Sequence, residues 1–328
     1  MFELVLSLST YALCESNLGC DLCVSGDFAQ ALKKFAKATG VFQCLGDDLL
    51  PGWMAKSKQH AEMEKESLAE TRVGVSAALT SLHMAMSQQM AIAAILVKRV
   101  VPNYALVGKL CLGVAVELES FVSTMRSKAS VHMARLEPSF LTLVTFSINV
   151  QRALSLYFLS RHLWNSSEFG VAISALSEAT VAMRTRSSPT GRGLPEIEEK
   201  GPLQVLSREV ADFRLHMECL LTSWEKDNSL VYFDKVPPSV PSDKALKPIQ
   251  LNKIDEFHLE ERDHLPFSIP GAKSNVASAS PPPSYNQAIM NDSQIAANNR
   301  NRSDSDLARE LHEKLNSETD HSSFHGSA

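Results

Sequence analysis

The chain reads as all-α: an irregular helical solenoid to about residue 228, then an extended segment, then a disordered tail. Three observations predict this. Apolar residues recur at three- and four-residue spacing from residue 1 to about 228, the period of a helix face. Gly and Pro are sparse before residue 185, and Pro clusters after 236. From Gly271 onward Ser, Asn, Ala and Pro prevail, a composition that cannot bury enough apolar surface to fold. The expected domains are therefore 1–270, helical with an extended closing stretch at 237–270, and 271–328, the tail.

The spacing predicts helices over 2–24, 28–63, 70–99, 102–129, 138–164, 167–184 and 200–228. The first begins almost at residue 1. It is not a signal peptide, because it lacks a basic start and Glu3 and Glu15 interrupt its apolar run. Pro51-Gly52 marks a break or a kink, and further breaks fall near Lys65–Glu70, at Pro102 and at Pro138. Arg184–Lys200, with Pro189, Gly191, Gly193 and Pro195, is a loop. Val73–Val97 carries no formal charge over a length that could span a bilayer. Thr80, Ser81, His83, Ser87, Gln88 and Gln89 would be costly in lipid, so this is a helix buried among helices. Ser303–Leu315 has Leu307, Leu311 and Leu315 on one face and reads as a short amphipathic helix.

Two segments repeat one pattern. Phe28, Ala31, Leu32, Phe35, Ala38 and Phe42 share a face opposite Lys33, Lys34 and Lys37. Phe169, Ala172, Ile173, Leu176 and Ala179 repeat the spacing and the alternation of small and large. Each follows a helix rich in small and aromatic residues. The pattern resembles the second helix of a tetratricopeptide hairpin, where Ala permits close approach and an aromatic fills the groove. The copies lie too far apart for a regular array, which favours an irregular solenoid.

Charge is nearly balanced, with 32 Lys and Arg against 37 Asp and Glu. No basic stripe marks a nucleic-acid binder. Cysteines stand at 14, 20, 23, 44, 111 and 219, nearly all within apolar helical pattern, and are expected to be small buried hydrophobes. Cys20-x-x-Cys23 has no second pair, so neither zinc nor a disulfide framework is expected, and a reducing compartment is the default. Ten histidines are scattered without a telling spacing. There is no HExxH, GxSxG or phosphate-loop motif, so an enzyme is not expected and no cofactor is implied.

The most specific stretch is Lys226–Pro238, KDNSLVYFDKVPP. A charged turn is followed by an apolar run and a prolyl pair that no helix can enter. This block resembles the closing signature of the BRO domain, the ESCRT-associated module of the ALIX family. The matching residues are Asn228, Leu230, Val231, Tyr232, Val236 and Pro237. The order of elements agrees over roughly residues 2 to 250: Thr39–Phe42, Ala85–Gln89, Tyr104–Leu110 and Phe169–Ala179 resemble family segments in sequence order. Family domains begin well upstream of the point matched by residue 1, so the resemblance implies an N-terminally truncated domain whose first helix exposes a face.

The resemblance implies a partner and a site. Family members hold the C-terminal amphipathic helix of an ESCRT-III subunit, a charged multivesicular body protein, in an apolar groove. The groove positions fall at Leu106 and Leu110, with a third, aromatic in the family, at Ala91; Met90 beside it is adaptable enough to compensate. Lys98, Arg99 and Lys109 would form a rim suited to an acidic helix. The residues alone favour a different reading, because 102–118 is apolar nearly all round and such helices are usually interior. In the tail, Pro282-Pro283-Ser284-Tyr285 is a PPxY sequence, the recognition element of a WW domain, and a WW-containing ubiquitin ligase is the natural partner. The expectation is a cytoplasmic adaptor, peripheral on endosomes through its partners, in the sorting that forms multivesicular bodies. The alternative is a generic tetratricopeptide-like peptide-binding adaptor.

Overall fold

In the computed structural model, residues 1–56, 68–98, 100–184, 194, 203–251 and 253–259 are described. The chain divides into one unit over Met1–Glu260 and a second over Glu261–Ala328, and every described residue lies in the first. The PPxY sequence, the expected helix 303–315, Arg99 and most of the 184–200 loop lie outside the described residues.

The helices are α1 (Phe2–Val24), α2 (Phe28–Cys44), α3 (Leu50–Lys56), α4 (Val73–Leu96), α5 (Tyr104–Lys128), α6 (Ser130–Met133), α7 (Pro138–Asn165), α8 (Phe169–Ala182) and α9 (Leu203–Asp227). They stack in chain order: α1 on α2, α2 on α4, α4 on α5, α5 on α7, α7 on α8 and α8 on α9. This is an all-α solenoid, with no strand among the described residues. Each interior helix has two neighbours and needs two apolar faces. That explains why α4, α5 and α7 read as apolar all round.

The core follows the stack. Val5, Ala12, Ala38, Phe42 and Leu45 fill the α1–α2 end. Val107, Leu110, Val114, Phe121 and Phe158 fill the centre. Leu159, Ile173, Leu176, Met217 and Trp224 fill the α7–α9 end. Both repeated patterns bury the expected face: Ala31, Phe35, Ala38 and Phe42 in α2, and Ala172, Ile173, Leu176 and Ala179 in α8.

Several boundaries differ from expectation. Pro51 neither breaks nor ends the helical path. A wide π-helical turn at Leu45–Leu49 precedes it, and α3 runs through it. Widening the turn relieves the clash between the prolyl ring and the carbonyl four residues back. The four-residue α6 was not expected; it is too short to show a period. The cysteines divide: Cys44 and Cys111 are buried, whereas Cys14, Cys20 and Cys219 are exposed and Cys23 is half-buried. Among the described residues α1 packs chiefly on α2, and its other face carries Cys14 and Cys20 to solvent. No helix among the described residues is long and apolar enough to cross a membrane. Helix α4 instead buries its polar groups against protein. His83 Nδ1–H donates to the Leu79 carbonyl at 2.8 Å, and its ring stands 5.0 Å from that of Phe42.

From Asp234 to Leu259 the described residues form no helix or strand, make a turn at Ser242–Lys244, and return across the stack as a strap. Lys244 pairs with Glu168 at 2.7 Å, just before α8. Leu246 rests on Gly108 of α5. The Ile249 N–H donates to the Lys109 carbonyl at 3.2 Å. The Asp255 backbone then lies on Gly40 of α2 so closely that any Cβ there would run into its carbonyl oxygen.

Burial holds the pKa of His83 below its ordinary value of 6.5. Below 6.5 the unfolded chain therefore binds a proton that the folded chain resists. Stability is full above 6.5 and is lost as the pH falls toward the depressed folded value. Thermal melts between about pH 7.5 and 5.5 should show a falling Tm that flattens in His83→Gln. An equal fall in both proteins would remove His83 from the account.

A strap-closed face and its candidate partner site

The strap is anchored where α9 ends. A π-helical turn, Asn228–Tyr232, widens the last turn, and Phe233 reverses the chain in left-handed geometry at φ 55°. Asn228 is 7% exposed, and its side chain closes this reversal from inside. Its Nδ2 donates to the Asp234 carbonyl at 2.9 Å, and its Oδ1 accepts from the Asp234 N–H at 3.0 Å. A buried amide with both ends matched explains why the signature carries Asn here. Tyr232 stacks on Phe169 with centroids 3.6 Å apart, and Trp164 stacks on Trp224 at 4.1 Å. These rings bind α7, α8, α9 and the reversal into one block.

Sequence reasoning missed Asp234. Its Oδ2 accepts from the Phe169 N–H at 3.1 Å and lies 3.5 Å from the Gly170 nitrogen, so it caps α8 from 64 residues away. A local capping pattern could not reveal it, because the cap comes from the returning strap. Val236 is exposed and Pro237 half-buried where the strap begins.

The second anchor is Gln88, in the middle of α4 and fully buried. Its Nε2 donates to the Leu110 carbonyl at 2.8 Å and to the Ile249 carbonyl at 3.0 Å, while its Oε1 accepts from the Leu251 N–H at 3.2 Å. One side chain thus joins α4, α5 and the strap. Gly113 leaves room for this, since a Cβ there would strike both the Gln88 amide and the Ile249 carbonyl. Gln250 reaches the Glu117 carboxylate. Burial raises the pKa of Glu117, and a hydrogen bond from Ser81 opposes that rise.

The expected groove residues separate on this frame. Leu106 and Met90 are half-buried and reach the surface. Ala91 is 4% exposed and Leu110 is fully buried beside Val107, Cys111 and Val114. Leu110 therefore supports the face from beneath, as the reading from residues alone favoured, rather than offering a side chain to a partner. Lys109 is half-buried and Lys98 exposed.

Two apolar clefts lie elsewhere. One, of about 200 Å³, is lined by Ile92, Leu96, Cys111, Leu154 and Phe213. Another, of about 420 Å³, is lined by Leu79, Leu82, Phe121, Met125 and Phe140, with His132 and Arg135 at its wall. Among the described residues no group of three or more His, Cys, Asp or Glu is gathered to hold a metal ion.

Fold and face together define a helical solenoid closed along one side by its own C-terminal strap. The chain belongs to the BRO1-like domain family, whose model matches residues 1–275. Solved structures show the same fold. The ALIX BRO1 domain in complex with CHMP4C superposes with a TM-score of 0.60 at 16% identity, covering 78% of this chain and 64% of that one. A Bro1 domain described as the structural basis for endosomal targeting gives 0.60 at 18% identity, covering 77% and 62%. ALIX in complex with the SIVmac239 PYKEVTEDL late domain gives 0.60 at 16%, covering 79% and 33%. The chain thus spans less than two thirds of the length of each of these structures. No curated protein matches the sequence.

Both anchors of the reversal are testable. Asn228→Ala leaves the Asp234 N–H and carbonyl without their buried partner and should cost about 1–3 kcal/mol. Asp234→Ala removes the α8 cap and should cost about 1 kcal/mol. Denaturant melts read both; an unchanged midpoint for Asn228→Ala would contradict the role given to its amide.

Proposed function

We propose that this protein is an ESCRT-associated adaptor that holds the C-terminal amphipathic helix of an ESCRT-III subunit on its strap-side face. The observation that supports this most is family membership over residues 1–275, joined to a fold shared with an ALIX BRO1 domain that binds CHMP4C. Leu106 is the groove position that reaches the surface, with Met90 as its adaptable neighbour. Leu110 and Ala91 shape the floor below them. The role is binding rather than catalysis: a helix laid in a groove needs apolar anchors and a charged rim, not converging acids and bases.

The tail extends the reading. Pro282, Pro283 and Tyr285 supply the polyproline geometry and the aromatic that a WW domain requires, so the adaptor recruits a WW-containing ubiquitin ligase to the same endosomal membrane. It sits on that membrane through its partners, in multivesicular-body sorting.

The test is fluorescence-polarisation binding of the full chain to a peptide of the CHMP4C C-terminal helix. Binding with a Kd on the order of micromolar is expected, weakened roughly tenfold or more by Leu106→Asp with helicity unchanged. Leu106 is the position to vary, because a charge at the buried Leu110 would unfold the core. In the same assay Tyr285→Ala should abolish capture of a WW domain and leave the helix peptide bound. A folded wild-type chain that ignores the CHMP4C peptide would leave the generic tetratricopeptide-like adaptor as the better reading.

A further inference from the structure

The turns at one end of the stack are apolar, whereas those at the other end are charged. Neighbouring helices run antiparallel. Ser87 of α4 reaches Leu32 of α2 while His83 meets Phe42, and Gln88 reaches Leu110 of α5 while Ser81 meets Ser120. Arg161, near the end of α7, lies over the Tyr104 ring at the start of α5. Tyr232 stacks on Phe169, which joins the end of α9 to the start of α8. One end of the stack therefore gathers the α1–α2 turn, the α4–α5 turn, the α7–α8 turn and the reversal after α9.

Three of these four tips are bare. Val24 is 90% exposed, Val100 and Val101 are 75% exposed, and Phe233 is 74% exposed. Val97, Leu230 and Val231 are nearly as open. Apart from Val205 in α9, these are the most exposed large apolar side chains among the described residues. The opposite end instead presents Asp47, Asp48, Arg126, Lys128, Arg135 and Glu137 to solvent.

The form of the tips says what fits them. They project from separate turns and line neither apolar cleft. A partner helix needs a continuous groove, whereas a lipid layer receives separate tips at once. Valine is scarce among the hot spots of protein interfaces, and its stiff side chain loses little rotamer freedom when immobilised. The α4–α5 turn is held at both stems. The Val97 N–H donates to the Ala93 carbonyl at 3.0 Å, and Asn103 Oδ1 accepts from the Leu106 N–H at 3.1 Å. Lys98 stands exposed between Val97 and Val100, and no Asp or Glu occurs from Thr71 to Val116. Charges are mixed around the outer tips, where Asp27 caps α2 and Lys226 and Asp227 precede Leu230. A preference for negative headgroups therefore rests with the middle tip.

We propose that this end of the stack is a membrane-inserting edge: Val97, Val100 and Val101 enter the interfacial layer of an anionic lipid surface, Val24 and the Leu230–Phe233 tip rest on it, and Lys98 meets the headgroups. The contact goes beyond the adaptor reading, which places the chain on the membrane through its partners, and does not rest on it.

The experiment is flotation of the full chain with vesicles of phosphatidylcholine, alone or mixed with phosphatidylserine, and no partner protein. The wild-type chain should float with the mixed vesicles. Val97→Ser/Val100→Ser/Val101→Ser should bind them roughly tenfold or more weakly, with Tm unchanged because all three side chains are exposed. Val24→Ser/Val231→Ser should lose less. Lys98→Glu should bind the mixed vesicles roughly tenfold more weakly and leave the weaker binding to phosphatidylcholine as it was, which decides the matter even where the triple variant fails to fold. A wild-type chain that floats with neither vesicle, or equal flotation of the wild type and the triple variant, would overturn the edge. No partner is present in the assay, so either result leaves the adaptor reading standing.

Discussion

One buried amide fastens the strap to the helical stack. Gln88 sits in the middle of a helix with no exposure, where an unpaired polar group would be costly. It is tolerated because its two ends meet the carbonyls of Leu110 and Ile249 and the N–H of Leu251. Without the strap, Gln88 would lose the Ile249 and Leu251 bonds and Gly113 would lie bare. Without Gln88, two strap groups would lose their partner. The strap therefore belongs to the folded body, fastened at Ile249 and Leu251 by three hydrogen bonds.

The anchor at the other end follows the same logic. Asn228 closes the reversal after α9, and Asp234 caps α8. The stacked rings of Tyr232 and Phe169 seal the junction. Between the two anchors the strap passes from α8 to α5, and beyond Gln88 it reaches Gly40 of α2. That is how the Ile249 backbone comes to lie on Gly113 and to bond the Lys109 carbonyl of α5.

Much of this was legible in the sequence, and the physical reason is periodicity. Helices α2 and α8 announce themselves because a single neighbour-facing stripe repeats at three and four residues. The extended strap is legible because Pro237, Pro238, Pro241 and Pro248 forbid a helix. What periodicity cannot report is long-range pairing. Gln88 stood out as a polar residue in an apolar helix, but nothing local says that its partner lies 161 residues away. Asp234 was hidden for the same reason. Leu110 shows the limit of analogy: the resemblance implied a groove, while the all-round apolar pattern of its helix implied the core where the structure puts it. Pro51 admits a break or a kink, and the structure shows the milder of the two: a π-helical turn takes up its strain without ending the helical path.

The most direct measurement is backbone hydrogen exchange at Ile249 and Leu251 in the full chain, free and with the CHMP4C helix peptide. If the strap is a fixed part of the folded body, both amides are protected in the free chain and stay protected with peptide bound. Faster exchange at these two amides on binding would mean that the partner displaces the strap, and would contradict the account.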